Sequence, residues 1–272
     1  MQKSNLKMNF ASRWVLVTGA SSGLGKELAT QLARKHKANL ILVARRAEPM
    51  QKLKAELEKE TGVQCRIIVA DLSRPEDVER VYGKSVAAGD VYGVILNAGV
   101  THFGSHLDLE WSAFEKLLAT NVTSVIRLVS LFTPYFIEKN NGGGIMLISS
   151  MASLLPVPYQ AAYAGSKAFI SNFAQSFYQE LHQDNVSLTI FAPGGINTEM
   201  THNSRLRYFE NTAFLQDATS CAAEALDAMQ KRRYLYVPGF LNRVQLFFSR
   251  FVSRKMLGFI ARTAYKKALE LS

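Results

Sequence analysis

Trp14-Val-Leu-Val-Thr-Gly-Ala-Ser-Ser-Gly-Leu-Gly25 is the stretch on which the fold turns. Trp14 to Val17 is a short apolar run and reads as a buried strand, and Lys26 to Lys35 reads as a helix. Between them lies a turn built from Gly19, Ser21, Ser22, Gly23, Leu24 and Gly25. Glycines let backbone approach a pyrophosphate closely, and a helix N-terminus offers free N–H groups and the positive end of its dipole. A Gly/Ser-rich turn can precede a helix without binding anything. The strand before it and the helix after it favour the phosphate-binding reading. The spacing is G-x-x-x-G-x-G rather than G-x-G-x-x-G.

The alternation continues outward. Leu40–Val43, Cys65–Val69, Val91–Leu96, Ile145–Ile148 and Val186–Phe191 read as strands. Pro49–Lys59, Trp111–Glu138 and Ala161–Leu181 read as helices. Strands alternating with helices predict an α/β fold, a single-domain Rossmann-type doubly wound parallel sheet with helices on both faces. This domain is expected to span residues 12–239, followed by a basic amphipathic helical extension over 240–272.

In such a sheet, ligands bind at the carboxyl ends of the strands. There the second strand ends in Ala44-Arg45-Arg46. An acid would suit a free ribose 2′-hydroxyl, whereas arginine suits a 2′-phosphate. Arg45 and Arg46 therefore point to NADP(H), with NAD(H) also possible, unless they are simply solvated charges starting a helix. Asp71-Leu72 after the third strand could line an adenine pocket or cap the next helix. Asn97-Ala98-Gly99 after the fourth leaves room for a ligand. Asn121 sits in mid-helix, where asparagine is mildly unfavourable; it has a purpose there or lies on a wet face. Tyr163 and Lys167, four apart on a helix, share a face. An ammonium beside a phenol is expected to lower the tyrosine pKa from ~10, so that it exchanges protons with a substrate oxygen.

These motifs closely resemble the short-chain dehydrogenase/reductase family over roughly residues 12 to 237. They are Thr18-Gly-x-x-x-Gly-x-Gly25, Asp71-Leu72, Asn97-Ala-Gly99, Asn121, Ser150, Tyr163-x-x-x-Lys167, and Pro193-Gly194 with Thr198. Leu96 departs from the asparagine frequent there in the family, and the turn at 140–144 lengthens the approach to the fifth strand. The resemblance implies an oxidoreductase interconverting a ketone and a secondary alcohol. Tyr163 is then general acid/base, and Lys167 lowers its pKa and holds the nicotinamide ribose. Ser150 binds the substrate oxygen, and Asn121 supports a proton relay through water. In reduction, hydride passes from the nicotinamide to the carbonyl carbon while Tyr163 protonates the oxygen. Pro193, Gly194, Ile196 and Thr198 are implied to line the cofactor. The segment from Thr198 through Phe214 is implied to cover the substrate, and its Met200, Leu206, Tyr208, Phe209 and Phe214, beside Arg205 and Arg207, suit a hydrophobic one. A non-catalytic dinucleotide-binding or scaffold protein on the same fold is the other class, because fold alone does not set function. Family members usually pair through the long helices, so a homodimer or homotetramer is expected. Phe169, Phe173 and Phe177, widened by Ile170 and Leu181, form the stripe available for pairing or for packing on the sheet.

Composition bounds the rest. Apolar residues make up 48% of 272, enough for a full core. Cys65 and Cys221 stand in no metal or redox spacing and read as reduced thiols, and no metal site is expected. His102 and His106 read as ordinary loop residues. The polar start and the lack of a long apolar run argue for neither a secretory signal nor a membrane span, and point to a cytoplasmic protein. There are 32 basic and 22 acidic residues. The excess is local. Residues 228–269 contain no Asp or Glu but ten Lys and Arg, so nucleic acid is not the expected partner. Phe240, Val244, Phe247, Phe248 and Phe251 fall at helical spacing, and Met256, Leu257, Ile260 and Ala264 form a second series. A basic helix with a broad apolar face suits a membrane interface, and it equally suits folding back over the cleft or onto a partner subunit.

Overall fold

A computed structural model describes residues 7–181, 184–199 and 215–270. Seven strands form one parallel sheet in the order β3-β2-β1-β4-β5-β6-β9. They are β1 (Trp14–Thr18), β2 (Asn39–Ala44), β3 (Cys65–Val69), β4 (Val91–Leu96), β5 (Gly144–Ile148), β6 (Ser187–Phe191) and β9 (Leu235–Tyr236). The two-residue pair β7 (Gly195–Ile196) and β8 (Leu215–Gln216) forms a separate ladder. β9 is too short to carry a periodic signal; its pairing with Ile190 and Phe191 makes it a strand.

Side chains alternate across the sheet as the strand period requires. Val15, Val17, Leu40 and Leu42 enter one apolar layer, under helices α1 (Gly23–Arg34), α2 (Ala47–Thr61) and α7 (Ala218–Gln230). Leu16, Ile41 and Val43 enter the other, under α3 (Pro75–Ala88), α5 (Ser124–Lys139) and α6 (Ala161–Glu180). Both faces are thus covered, and the strands read as continuous apolar runs. The core also begins earlier than residue 12. Met8 and Phe10 are buried, and the Met8 N–H donates to the Gln230 carbonyl at 2.8 Å.

The long helix expected from Trp111 is interrupted. α4 (Trp111–Leu118) joins α5 through a π-turn over Ala119–Thr123, where the Ser124 N–H reaches back to the Ala119 carbonyl. Among the described residues, Trp111–Lys139 is the one stretch long and apolar enough to cross a membrane, and half of its most apolar part is buried inside the molecule. Phe132 and Phe136 are fully buried, so that apolarity serves the core.

The tail forms a helical hairpin, α8 (Phe240–Ser249) and α9 (Arg254–Glu270), that folds back over the carboxyl end of the sheet. Asn242 packs on Gly194, where a Cβ would stand 2.7 Å from its Oδ1. Arg243 donates to Glu224 Oε2 and to the Val237 carbonyl, each within 3.3 Å. Gly258 lies against Pro156, and the Tyr265 ring stands 5.6 Å from that of Phe103. Leu257 faces this inner side, whereas Met256 and Ile260 face out, so the second apolar series divides between two faces.

Candidate active site

The glycine-rich turn is held by steric necessity. Gly19 has φ +69°, and a Cβ on Gly25 would stand 2.2 Å from the Gly19 carbonyl oxygen. α1 therefore starts directly against the turn, with Ser22 extended at its N-cap and no acid in its first turn. Thr18 ties β1 to β4, its Oγ1 accepting from the N–H groups of Asn97 (2.9 Å) and Ala98 (3.0 Å). Asn97 Nδ2 donates back to the Thr18 carbonyl at 3.0 Å. Thr198 leans on Gly23 from the opposite side, 3.3 Å from where its Cβ would be. Ile196 lies in the β7–β8 ladder behind it. These residues surround a cradle of free backbone and small side chains at the point where strand order reverses, between β1 and β4. That arrangement fits a dinucleotide pyrophosphate.

Arg45 and Arg46 are both exposed but face different neighbours. Arg46 Nη2 reaches Ser21 Oγ at 3.3 Å and Glu199 Oε2 at 3.1 Å. Arg45 faces the Asp71 carboxylate. Asp71 is occupied locally: its Oδ1 accepts from Ser73 N–H (3.1 Å) and Ser73 Oγ (2.8 Å). Burial works against its ionisation, but the Ser73 hydrogen bonds, Lys116 and Arg45 hold its carboxyl below the usual range. Asp71 thus stabilises a turn at the strand end, and Leu72 beside it is buried.

The reacting groups converge above β4 and β5. Ser150 is extended at the N-cap of a short 3₁₀ turn, Met151–Ser153, and Oγ accepts from the Ala152 N–H at 3.1 Å. Its side chain also faces the Tyr163 phenol and favours the phenolate. Lys167 is 4% exposed, its Nζ donates to the Ile148 carbonyl at 2.8 Å, and it lies 5.8 Å from the Tyr163 ring centroid. Asn121 is fully buried at the π-turn. Its Oδ1 accepts from the Val100 N–H at 2.9 Å, and Nδ2 donates to the Val100 carbonyl (2.8 Å) and Ser166 Oγ (3.1 Å). Asn121 therefore clamps the loop after β4 to the helix that carries Tyr163. Gly99 faces both, a Cβ there standing 3.3 Å from Asn121 Oδ1 and 3.5 Å from Lys167 Nζ. Pro193 accepts from the Met151 N–H at 2.8 Å, with Gly194 under the hairpin.

The electrostatics differ from the expectation that Lys167 brings the Tyr163 pKa down. Burial pushes the Tyr163 phenol up and outweighs the opposing influence of Ser150, while Tyr265 adds to the rise. Burial lowers Lys167 to about 8, so it carries its charge at neutral pH with little to spare. Desolvation, absent from any pattern of spacing, dominates both groups.

Ser166 and Tyr265 near these groups, and Glu199 beside Arg46, carry no local sequence signal. Tyr265 approaches from α9, 102 positions beyond Tyr163 in the chain. Met200, Arg205, Leu206, Arg207, Tyr208, Phe209 and Phe214, expected to cover the substrate, lie outside the described residues.

The profile of the short chain dehydrogenase family matches residues 13–208. The chain belongs to that family, whose members are NAD(P)-dependent oxidoreductases acting on CH–OH and C=O groups. It is 31% identical over 192 residues to 17-beta-hydroxysteroid dehydrogenase type 3 of Mus musculus, covering 70% of this chain and 62% of that protein. It is 34% identical over 193 residues to the very-long-chain 3-oxoacyl-CoA reductase of Podospora anserina, covering 69% and 56%. The chain thus spans somewhat less than two thirds of these relatives' length. Among solved structures, a short-chain dehydrogenase from Sphingobium yanoikuyae in complex with NADPH superposes with TM-score 0.79 at 26% identity, covering 88% of this chain and 93% of that one.

Proposed function

We propose that this protein is an NADP(H)-dependent oxidoreductase interconverting a ketone and a secondary alcohol on a hydrophobic substrate. The convergence of Ser150 and Lys167 on Tyr163 carries the reading, and Asn121 fastens the loop after β4 to the helix bearing Tyr163. The nicotinamide cofactor, when bound, supplies or accepts the hydride. The glycine cradle would hold its pyrophosphate, and Arg46 with Ser21 would take a ribose 2′-phosphate. Ser150 donates to the substrate oxygen and stabilises charge developing there. Tyr163, kept neutral by burial, gives its proton to that oxygen in reduction and takes it back in oxidation. Lys167 would hold the nicotinamide ribose, stabilise the phenolate as it forms and return a proton from solvent, with Asn121 on that route.

The two named relatives, a hydroxysteroid dehydrogenase and a very-long-chain acyl-CoA reductase, support a lipophilic substrate. The apolar and aromatic surface at the mouth, from Leu154, Leu155, Phe103 and Tyr265, supports it too. The protein is read as a homodimer or homotetramer in the cytoplasm, seated peripherally at a membrane surface.

The test is NADPH oxidation by the purified full chain against steroid, acyl and aromatic ketones. Tyr163→Phe is expected to leave NADPH binding intact and to cut turnover on the order of 10² or more. Turnover near the wild-type rate in that variant would remove Tyr163 from the mechanism. A complete lack of hydride exchange across the panel, with NADPH bound, would favour the scaffold reading instead.

A further inference from the structure

Apolar surface is concentrated on the outside of the α8–α9 hairpin. Among the described residues, eight of the thirteen exposed large apolar side chains fall within residues 240–260. Phe247, Phe248, Phe259 and Ile260 are more than half exposed, and Phe251, in the turn between the helices, is 75% exposed. Single exposed apolar residues are ordinary, but a contiguous patch of aromatic ones marks an interaction surface. Leu246, Val252 and Leu257 lie on the opposite face, where with Leu154–Pro156 they line a cavity of about 350 Å³ between hairpin and body. The outer face is therefore not a displaced piece of the core.

Charge indicates what covers it. Lys255, Arg262 and Lys267 are exposed along α9, Arg250 and Arg254 stand at the rim on the inner side, and residues 228–269 contain no carboxylate side chain. A second copy of the chain would bring one cation-rich face against another, which is repulsive in an isologous contact. Nucleic acid would satisfy the bases but leave the phenylalanines in water. An anionic bilayer satisfies both, with aromatic side chains at the acyl boundary and basic groups among the headgroups.

We propose that the α8–α9 hairpin docks this protein on an anionic phospholipid surface through Phe247, Phe251 and Phe259 and the flanking bases. The inner face of the same hairpin places Tyr265 against Phe103 over the proposed active site, so docking sets the mouth of that site toward the lipid. The inference rests on the reading of a lipophilic substrate only for its purpose, and its test needs no turnover.

The full chain is sedimented with vesicles of phosphatidylcholine alone and with phosphatidylserine added, at low and moderate salt. It should pellet with the anionic vesicles at low salt and be partly released at moderate salt. Phe247→Ser, Phe251→Ser and Phe259→Ser combined should weaken vesicle affinity on the order of ten-fold or more. Lys255→Glu with Arg262→Glu, which removes no apolar group, should weaken it for anionic vesicles specifically. Both variants should keep the wild-type melting temperature and NADPH affinity. Full-chain protein left in the supernatant with anionic vesicles at low salt overturns the proposal. So does a phenylalanine triple variant that binds as tightly as wild type, or one whose only change is loss of an oligomer by light scattering. Intact vesicle binding without carbonyl reduction would overturn the enzymatic reading and leave the docking standing.

Discussion

At Lys167, burial opposes the charge that the proposed chemistry needs. The side chain sits at 4% exposure with its pKa lowered to about 8 from 10.5. Between those two values the unfolded chain binds more protons at this position than the folded one, so its contribution makes stability rise with pH from about 8 to 10.5. Below about 8, the folded protein carries the full cost of the buried ammonium. Lys167→Met is therefore expected to abolish turnover yet stabilise the ligand-free protein at pH 7, on the order of 1–3 kcal/mol after loss of the Ile148 hydrogen bond. Urea melts of both proteins across pH 7–11 check this, and a variant less stable than wild type at pH 7 would contradict it. Arg46 is the second residue whose surroundings matter. Its hydrogen bond to Ser21 beside the glycine turn makes it, rather than Arg45, the arginine placed for a 2′-phosphate. Arg46→Ala should weaken NADPH roughly ten-fold and NADH little, because a charge-assisted contact to phosphate is lost. Titration by nucleotide fluorescence decides it, and equal weakening of both would remove the arginine's role. Glu199 across from it contributes little to stability, since both partners of that ion pair are more than half exposed.

The element that does most to assemble the site is the π-turn between α4 and α5. A wider turn displaces one residue from the regular helical pattern, and such bulges gather at functional positions. Here it lets Asn121 be fully buried and span Val100 and Ser166 with both ends of its amide. The alternative of an asparagine on a wet face is thus excluded by its burial. Asn121→Ala would strand the Val100 N–H and carbonyl and free the loop after β4. We expect a loss on the order of 2–4 kcal/mol in chemical denaturation, together with faster amide hydrogen exchange over residues 98–104. A loss under 1 kcal/mol would show that the clamp is not structural.

On the scale of the whole molecule, α6 serves two surfaces. Ile170 and Ala174 are buried in the sheet layer, whereas Phe169 is 53% exposed and Phe173 and Phe177 are partly covered and stacked at 5.5 Å. The stripe thus divides, with 170 and 181 buried, 173 and 177 partly covered against the same layer, and 169 exposed. If the protein pairs through these helices, Phe169→Glu should shift a dimer toward monomer at micromolar concentration without lowering its melting temperature. Light scattering reads this directly, and a wild-type monomer would contradict the pairing. This surface is separate from the α8–α9 hairpin, so oligomerisation and vesicle docking should be lost independently.

The amino-acid sequence alone determined the sheet and the location of the site. Short continuous apolar runs, helices between them and glycines where a side chain would collide are properties of adjacent residues, and they are legible without tertiary contacts. Tyr163 and Lys167 on one helix, and Gly19 to Gly25 before another, belong to the same class. The tertiary structure decided what depends on partners far along the chain. It made a strand of Leu235–Tyr236, drew Met8 and Phe10 into the core, and sent Arg45 and Arg46 to different neighbours. It turned one apolar tail into a hairpin with an inner face on Pro156 and Phe103 and an outer face of phenylalanines and bases. It also reversed the expected shift at Tyr163, because desolvation depends on everything packed around a group, and spacing along the chain carries no record of that.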